Sequence, residues 1–156
     1  EWLAQNIRST RNFIRKWGHF VKHDALLKPI VPPKYDIGFV IKNCTDELLE
    51  LLEPWCSVIY VDTYVEDYIE KENENTLYDL HLRVRTTDSF KDGNHDIEVK
   101  FDGTQVTNDS FQYIQQLSEI LSNDEELEEG DFNLGIFKVI INKLTTYEKS
   151  LIVCKR

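Results

Sequence analysis

The chain of 156 residues has no methionine, three cysteines, four prolines and six glycines. It contains no apolar run of about 18 residues, so nothing in it reads as a membrane span, and no signal or transit segment is visible. The cysteines, Cys44, Cys56 and Cys154, are odd in number, widely spaced and free of any CxxC pair. That excludes a disulfide framework and a zinc knuckle, and predicts free thiols in a reducing, cytoplasmic compartment. No GxSxG, HExxH or Cys–His nucleophile arrangement occurs. Neither a dinucleotide fingerprint nor a P-loop is present. The opening "EWLAQN" without an initiator Met reads as a fragment, a processed chain or an incompletely ordered one.

What is present is ordinary globular composition, 41% hydrophobic and 12% aromatic, in a length that buries a core without metals or disulfides. The charge is uneven. Residues 1–34 hold seven Lys and Arg (Arg8, Arg11, Arg15, Lys16, Lys22, Lys28, Lys34) against Glu1 and Asp24, a net of +5. The whole chain carries −10, so the remainder carries −15. Such a body repels nucleic acid and anionic membrane. The division predicts a basic N-terminal helix with a Pro-rich connecting arm over 1–34 and an acidic α/β domain over 35–156.

Along the chain, "WLAQNIRSTRNFIRKWG" sets Leu3, Ile7, Ile14 and Trp17 on one helical face with Phe13 beside them, and Gly18 stops the helix. Pro29, Pro32 and Pro33 keep the connector irregular. The run "DIGFVIKN", a helix opened by Thr45 over "CTDELLELLEPW", and the run "SVIYVD" make a Rossmann-like βαβ unit with a right-handed parallel crossover. Strands over 37–42 and 57–62 are predicted to be adjacent. Strands over 95–101, 136–144 and 151–154 complete a mixed sheet of two or three layers. A short acidic helix follows the second strand, with Val65, Tyr68 and Ile69 inside and Glu66, Asp67, Glu70 and Glu72 outside. Residues 76–86 fit a strand or a helix. "TNDSFQYIQQLSEILSN" reads as an amphipathic helix capped by Asn108 or Asp109, and "NDEELEEGD" as a solvated acidic turn.

Three constellations suggest chemistry. At the first βα turn, Asn43 and Thr45 offer backbone amides to a phosphate and Asp62 stands where a ribose-binding carboxylate would. Against this, Asp46 and Glu47 repel an anion, and Asp62 serves equally as a helix cap. On the strand "HDIEVKFDG", Asp96, Glu98 and Lys100 point one way. With an upstream Asp79, Asp88 or Asp92 they match the carboxylate–carboxylate–lysine set of a Mg²⁺-dependent nuclease, or simply an exposed face of alternating charge. His19 and His23, four apart, would pair on a metal only in a helix, and no third ligand is evident, so no metal site is assigned.

The stretch "RNFIRKWGH", residues 11–19, resembles the segment that closes the catalytic domain of many family 2 glycosyltransferases, with Asn12, Phe13, Lys16, Trp17 and Gly18 in order. The resemblance implies a sugar transferase using a nucleotide sugar and a divalent cation. No Asp-x-Asp motif is present here, so it implies that the catalytic domain lies upstream and that this chain is a following, non-catalytic α/β domain. The cation would then belong to the larger protein, and this segment needs no cofactor. Trp2, Phe13, Trp17 and Phe20 are the expected interface of the basic arm, with a preceding domain, the chain's own sheet or a second copy. The alternatives are a stand-alone interaction module with an acidic binding face, or a small nuclease using Glu98 and Lys100.

Overall fold

A computed structural model describes residues 2–18, 26, 34–123, 127–144 and 146–147. Phe20, His19, His23 and the strand expected over 151–154 lie outside them, as does the side chain of Trp2. The elements are α1 (Trp2–Trp17), β1 (Lys34–Tyr35), β2 (Ile37–Lys42), α2 (Asp46–Leu52), β3 (Val58–Val61), α3 (Glu66–Glu72), α4 (Leu80–Arg83), β4 (Val84–Thr86), β5 (Ile97–Asp102), α5 (Asn108–Asn123), β6 (Gly130–Leu134), β7 (Phe137–Ile141) and β8 (Thr146–Tyr147). The chain is α/β, with a mixed six-stranded sheet in the order β4-β3-β2-β5-β7-β6 and a separate β1–β8 pair.

The βαβ unit forms as its sequence dictates. Thr45 takes an extended backbone and its hydroxyl accepts from the Leu48 amide, opening α2. Pro54 cannot continue the helix, and a tight 3₁₀ turn over Glu53–Trp55 leads to β3. β2 and β3 pair parallel, Phe39 beside Ile59 and Ile41 beside Val61. β5 lies parallel on the other side of β2, Phe39 beside Val99.

Side chains alternate across the sheet. Ile37, Phe39, Ile41, Ile59, Val61, Val84, Ile97, Val99, Phe101, Phe137, Val139 and Ile141 all belong to one buried cluster with Ile14 of α1, Leu49 and Leu52 of α2, Ile69 of α3 and Ile114, Leu117 and Leu121 of α5. Every described helix thus contributes to one face. The second face carries Gly38, Tyr60, Arg85, Glu98, Lys100 and Lys138, and is crossed by the segment from β4 to β5, residues 87–96. Phe90 meets Tyr60 edge-on at 5.1 Å. The His95 ring lies so close over Gly38 that a Cβ there would sit 2.5 Å from its Cδ2. Glycine at 38 is what admits the crossover.

Several local expectations are corrected. Residues 76–86 are both a helical turn, capped by Asp79 on the His81 amide, and strand β4. The cap of α5 is Thr107. Its Oγ1 accepts from the Ser110 amide, and Ser110 Oγ accepts from the Thr107 amide, a reciprocal box one residue earlier than expected. Of the acidic stretch, residues 127–129 lie outside helix and strand as expected, while Gly130 and Asp131 open β6. β6 and β7 then form a hairpin with Leu134 opposite Phe137. Gly135 at φ 62° supplies the positive φ that the first residue of its two-residue loop needs. Glu72, expected outside, is 5% exposed.

Candidate functional site

Glu72 is inside because α1 is seated on the body by an ionic cluster. Arg15, wholly buried, meets Glu53 through Nε at 3.0 Å and through its terminal nitrogen at 2.5 Å, and reaches Glu72 at 2.5 Å. Arg11 donates to Glu72 at 2.9 Å, to the Tyr68 hydroxyl at 2.5 Å and to the Glu50 carbonyl at 2.5 Å. Asn12 donates to the Asn75 carbonyl at 2.7 Å. From the other side, Arg83 of α4 donates to Glu53 Oε2 at 3.0 Å and to the Glu53 and Cys56 carbonyls at 2.9 and 2.7 Å. Tyr68 donates to Glu53 Oε1 at 2.8 Å. Burial pushes the Glu53 carboxyl up, but the charge of Arg83 and the bonds and charge of Arg15 outweigh it, and the group settles at about 2. Lys34 Nζ donates to the carbonyls of Arg15 and Lys16 at the end of α1. Burial and then the Arg83 charge bring it down to about 7. In the expected interface, Phe13 and Trp17 are half-buried, 6.5 Å apart, with Lys16 over the indole at 5.1 Å.

At the C-terminal ends of the parallel strands, where sheets of this class hold ligands, Asn43 is the one described non-glycine residue at positive φ, 55°. Asp62 accepts from the Asn43 amide at 2.7 Å and the Cys44 amide at 3.2 Å, and those bonds lower its pKa. It does not cap α3, whose N-cap Val65 makes no side-chain bond. Asp102 accepts from the Thr104 amide and hydroxyl and from the Asn43 side chain, and is lowered likewise. Asp62 therefore occupies the Asn43 and Cys44 amides of this turn.

The second face of the sheet is chemically richer. Glu98 and Lys100 both line a polar cleft of about 640 Å³ with Asp92, Glu129, Asp131, Lys138 and Asn142. Asp96 is not brought there: it precedes β5, and its carbonyl accepts from the Asn142 and Lys143 amides. Lys100 donates to Asp92 at 3.0 Å and lies 5.2 Å over Phe90. Asp79 caps α4, and Asp88 is exposed in the turn that opens the crossover. Among the described residues, no group of three or more His, Cys, Asp or Glu converges as a metal cage.

Beside the cleft stands an arrangement that sequence reading missed. Asp36 Oδ1 lies 3.0 Å from His95 Nδ1, and His95 Nε2 lies 2.7 Å from the Tyr60 hydroxyl. The carboxylate favours the proton on Nδ1, leaving Nε2 to accept from Tyr60. The order carboxylate, imidazole, hydroxyl is that of an activated nucleophile. Here, however, the hydroxyl belongs to a tyrosine 1% exposed, covered by Phe90, its pKa raised first by burial. The relay therefore acts as a clamp that ties the crossover to the sheet. Asn142 closes it by donating to the His95 carbonyl at 2.9 Å. Its signal in the sequence was slight: Asp36 and Tyr60 are single polar groups at or within the apolar runs "DIGFVIKN" and "SVIYVD", and His95 comes from a third segment. The remaining described histidine, His81, is exposed beside Glu66 and Asp79. No helix among the described residues is long and apolar enough to cross a membrane. Comparison of the chain with protein-family models, curated proteins and solved structures finds no match.

Proposed function

We propose that this chain is the non-catalytic C-terminal α/β domain of a glycosyltransferase-like protein, and that α1 fixes its position against the catalytic part. The supporting observation is the use made of residues 11–19. In the family they resemble, this segment closes the catalytic domain. Here its Arg11, Asn12 and Arg15 are committed to Glu53, Glu72 and the Asn75 carbonyl, while Ile7 on the same helix stays 54% exposed. A helix gripped by buried charge transmits a fixed orientation to whatever precedes it. The non-catalytic half of the reading is supported by Asp62, which occupies the Asn43 and Cys44 amides at the strand ends.

The test is turnover of nucleotide sugars with Mn²⁺ by residues 1–156 alone and by the whole protein containing them. The expected result is none for the chain alone and turnover for the whole protein, whose upstream sequence carries an Asp-x-Asp. Turnover by residues 1–156, or an initiator Met directly before Glu1, overturns the reading. A second reading, a module that takes a basic partner, is favoured by the surplus of carboxylates over lysines in the cleft.

A further inference from the structure

Glu98 is the residue in the cleft that local structure accounts for only in part. By register its neighbours across the sheet are Gly38 and Ile140, neither of which offers a side-chain donor. Yet the residue is buried to 1% exposure. One oxygen, Oε2, accepts from the Gly93 amide at 2.9 Å and the His95 amide at 3.4 Å. Among the described residues no donor meets Oε1. A buried acceptor without a donor is costly, and a charged one more so.

The cleft's own cations do not supply that donor. Lys100 is held by Asp92 at 3.0 Å, and Lys138 lies 3.7 Å from Asp131. With those pairs counted, Glu98 and Glu129 remain as acceptors. A divalent ion would want a convergent set of three or more acidic or imidazole ligands, which the described residues do not form. An ammonium or guanidinium group needs fewer acceptors, and its aliphatic stem would lie along Ile140, which lines the same cleft.

We propose that this cleft binds a cationic amine, an ammonium or guanidinium group, seated on Glu98 Oε1 with Glu129 at the rim. The proposal does not depend on whether the chain serves a transferase. The source of the amine, a lysine- or arginine-bearing peptide or a free polyamine, is separated by the probes.

The full chain is titrated calorimetrically at 0.15 M salt with an acetylated octalysine peptide, with spermidine and with MgCl₂, using wild type, Glu98→Gln, Glu129→Gln and Asp67→Asn. The last lies outside the cleft and controls for the general acidity of the chain. The expected result is one saturable site for at least one amine, weakened about tenfold by Glu98→Gln, about threefold by Glu129→Gln, and unchanged by Asp67→Asn. Octalysine alone binding identifies a peptide, and spermidine binding a free polyamine; either supports the site. Equal affinity in all four proteins would mean diffuse attraction to an acidic surface and overturns it. So does Mg²⁺ binding that Glu98→Gln abolishes, or the absence of any saturable site. Should Glu98→Gln fail to fold, the rim variant Glu129→Gln decides, since Glu129 is exposed.

Discussion

Glu53 has an exposure of 0% and is shared by Arg15, Arg83 and Tyr68. Removing its charge leaves the buried Arg83 guanidinium without a carboxylate and Arg15 with Glu72 alone, so Glu53→Gln should cost about 3–5 kcal/mol in urea unfolding. Its pKa of about 2 against an ordinary 4.5 also fixes a pH dependence. The unfolded chain takes up this proton at higher pH than the folded one, so the stabilisation is complete above 4.5 and lost as pH falls toward 2, about 3 kcal/mol in all. Urea midpoints across that window should fall in wild type and be flatter in Glu53→Gln. Lys34 works in the opposite sense. With a folded pKa of about 7 and an ordinary value of 10.5, the unfolded chain holds more protons between them, so stability rises with pH above 7. That rise is opposed from about pH 9, where Cys44 and Cys56, kept protonated by burial in the fold, ionise in the unfolded chain. Stability should therefore climb between pH 7 and 8.5 in wild type, and Lys34→Met should remove the climb. None of these partnerships is local. Arg15 lies 38 residues from Glu53 and 57 from Glu72, and no periodicity in the sequence announces such a pairing.

Among the elements, those with a local signature were legible. α1 and its Gly18 stop, the Thr45 cap and the parallel pair β2–β3 follow from spacing and punctuation alone. Those that depend on a distant partner were not. Glu72 was placed outside α3 because a charge is normally solvated, and its burial needs the arginines of α1. β6 was hidden because "GDFNL" has little strand character of its own and is held through its pairing with β7. The candidate site was half legible: Glu98 and Lys100 share a cleft, while Asp36, His95 and Tyr60 meet through a crossover that no local pattern shows. The same logic ranks the elements by dependence. Sixteen residues are marginal as an isolated helix in water, so α1 is ordered by what it docks on, and the body in turn needs its two arginines. Deleting residues 1–17 strips Arg11 and Arg15 from Glu53 and Glu72 and Ile14 from the core. The truncated chain should melt well below the parent, and lose solubility, in differential scanning calorimetry and sedimentation. An equal midpoint would show that α1 is dispensable.

Taken whole, the molecule separates its charges by depth. The cluster beneath α1 is shielded from solvent ions, whereas the net −10 is carried by side chains that salt can screen. Raising NaCl from 0.05 to 0.5 M should leave the buried pairs nearly untouched and relieve repulsion across the acidic surface. The midpoint of urea unfolding should therefore rise, by an amount that falls when surface acids such as Glu70 and Asp67 are neutralised. A falling midpoint would mean that exposed pairs such as Lys71–Glu50 contribute more than the repulsion does.

The Glu53 junction also constrains how this sequence can change. Three structural segments, α1, α3 and α4, converge on one carboxylate, so no single substitution at Arg15, Glu53 or Arg83 has a neutral route. Each first step strands a charge, and a lineage altering one partner must cross a poorly folded intermediate before the next repairs it. A designer meets no such barrier, because all the partners can be exchanged at once. Replacing Arg11, Arg15, Glu53, Glu72 and Arg83 together by apolar residues of matching volume, with Tyr68→Phe, should be neutral or stabilising by about 1–4 kcal/mol. That outcome would mark the junction as a historical lock rather than an energetic optimum.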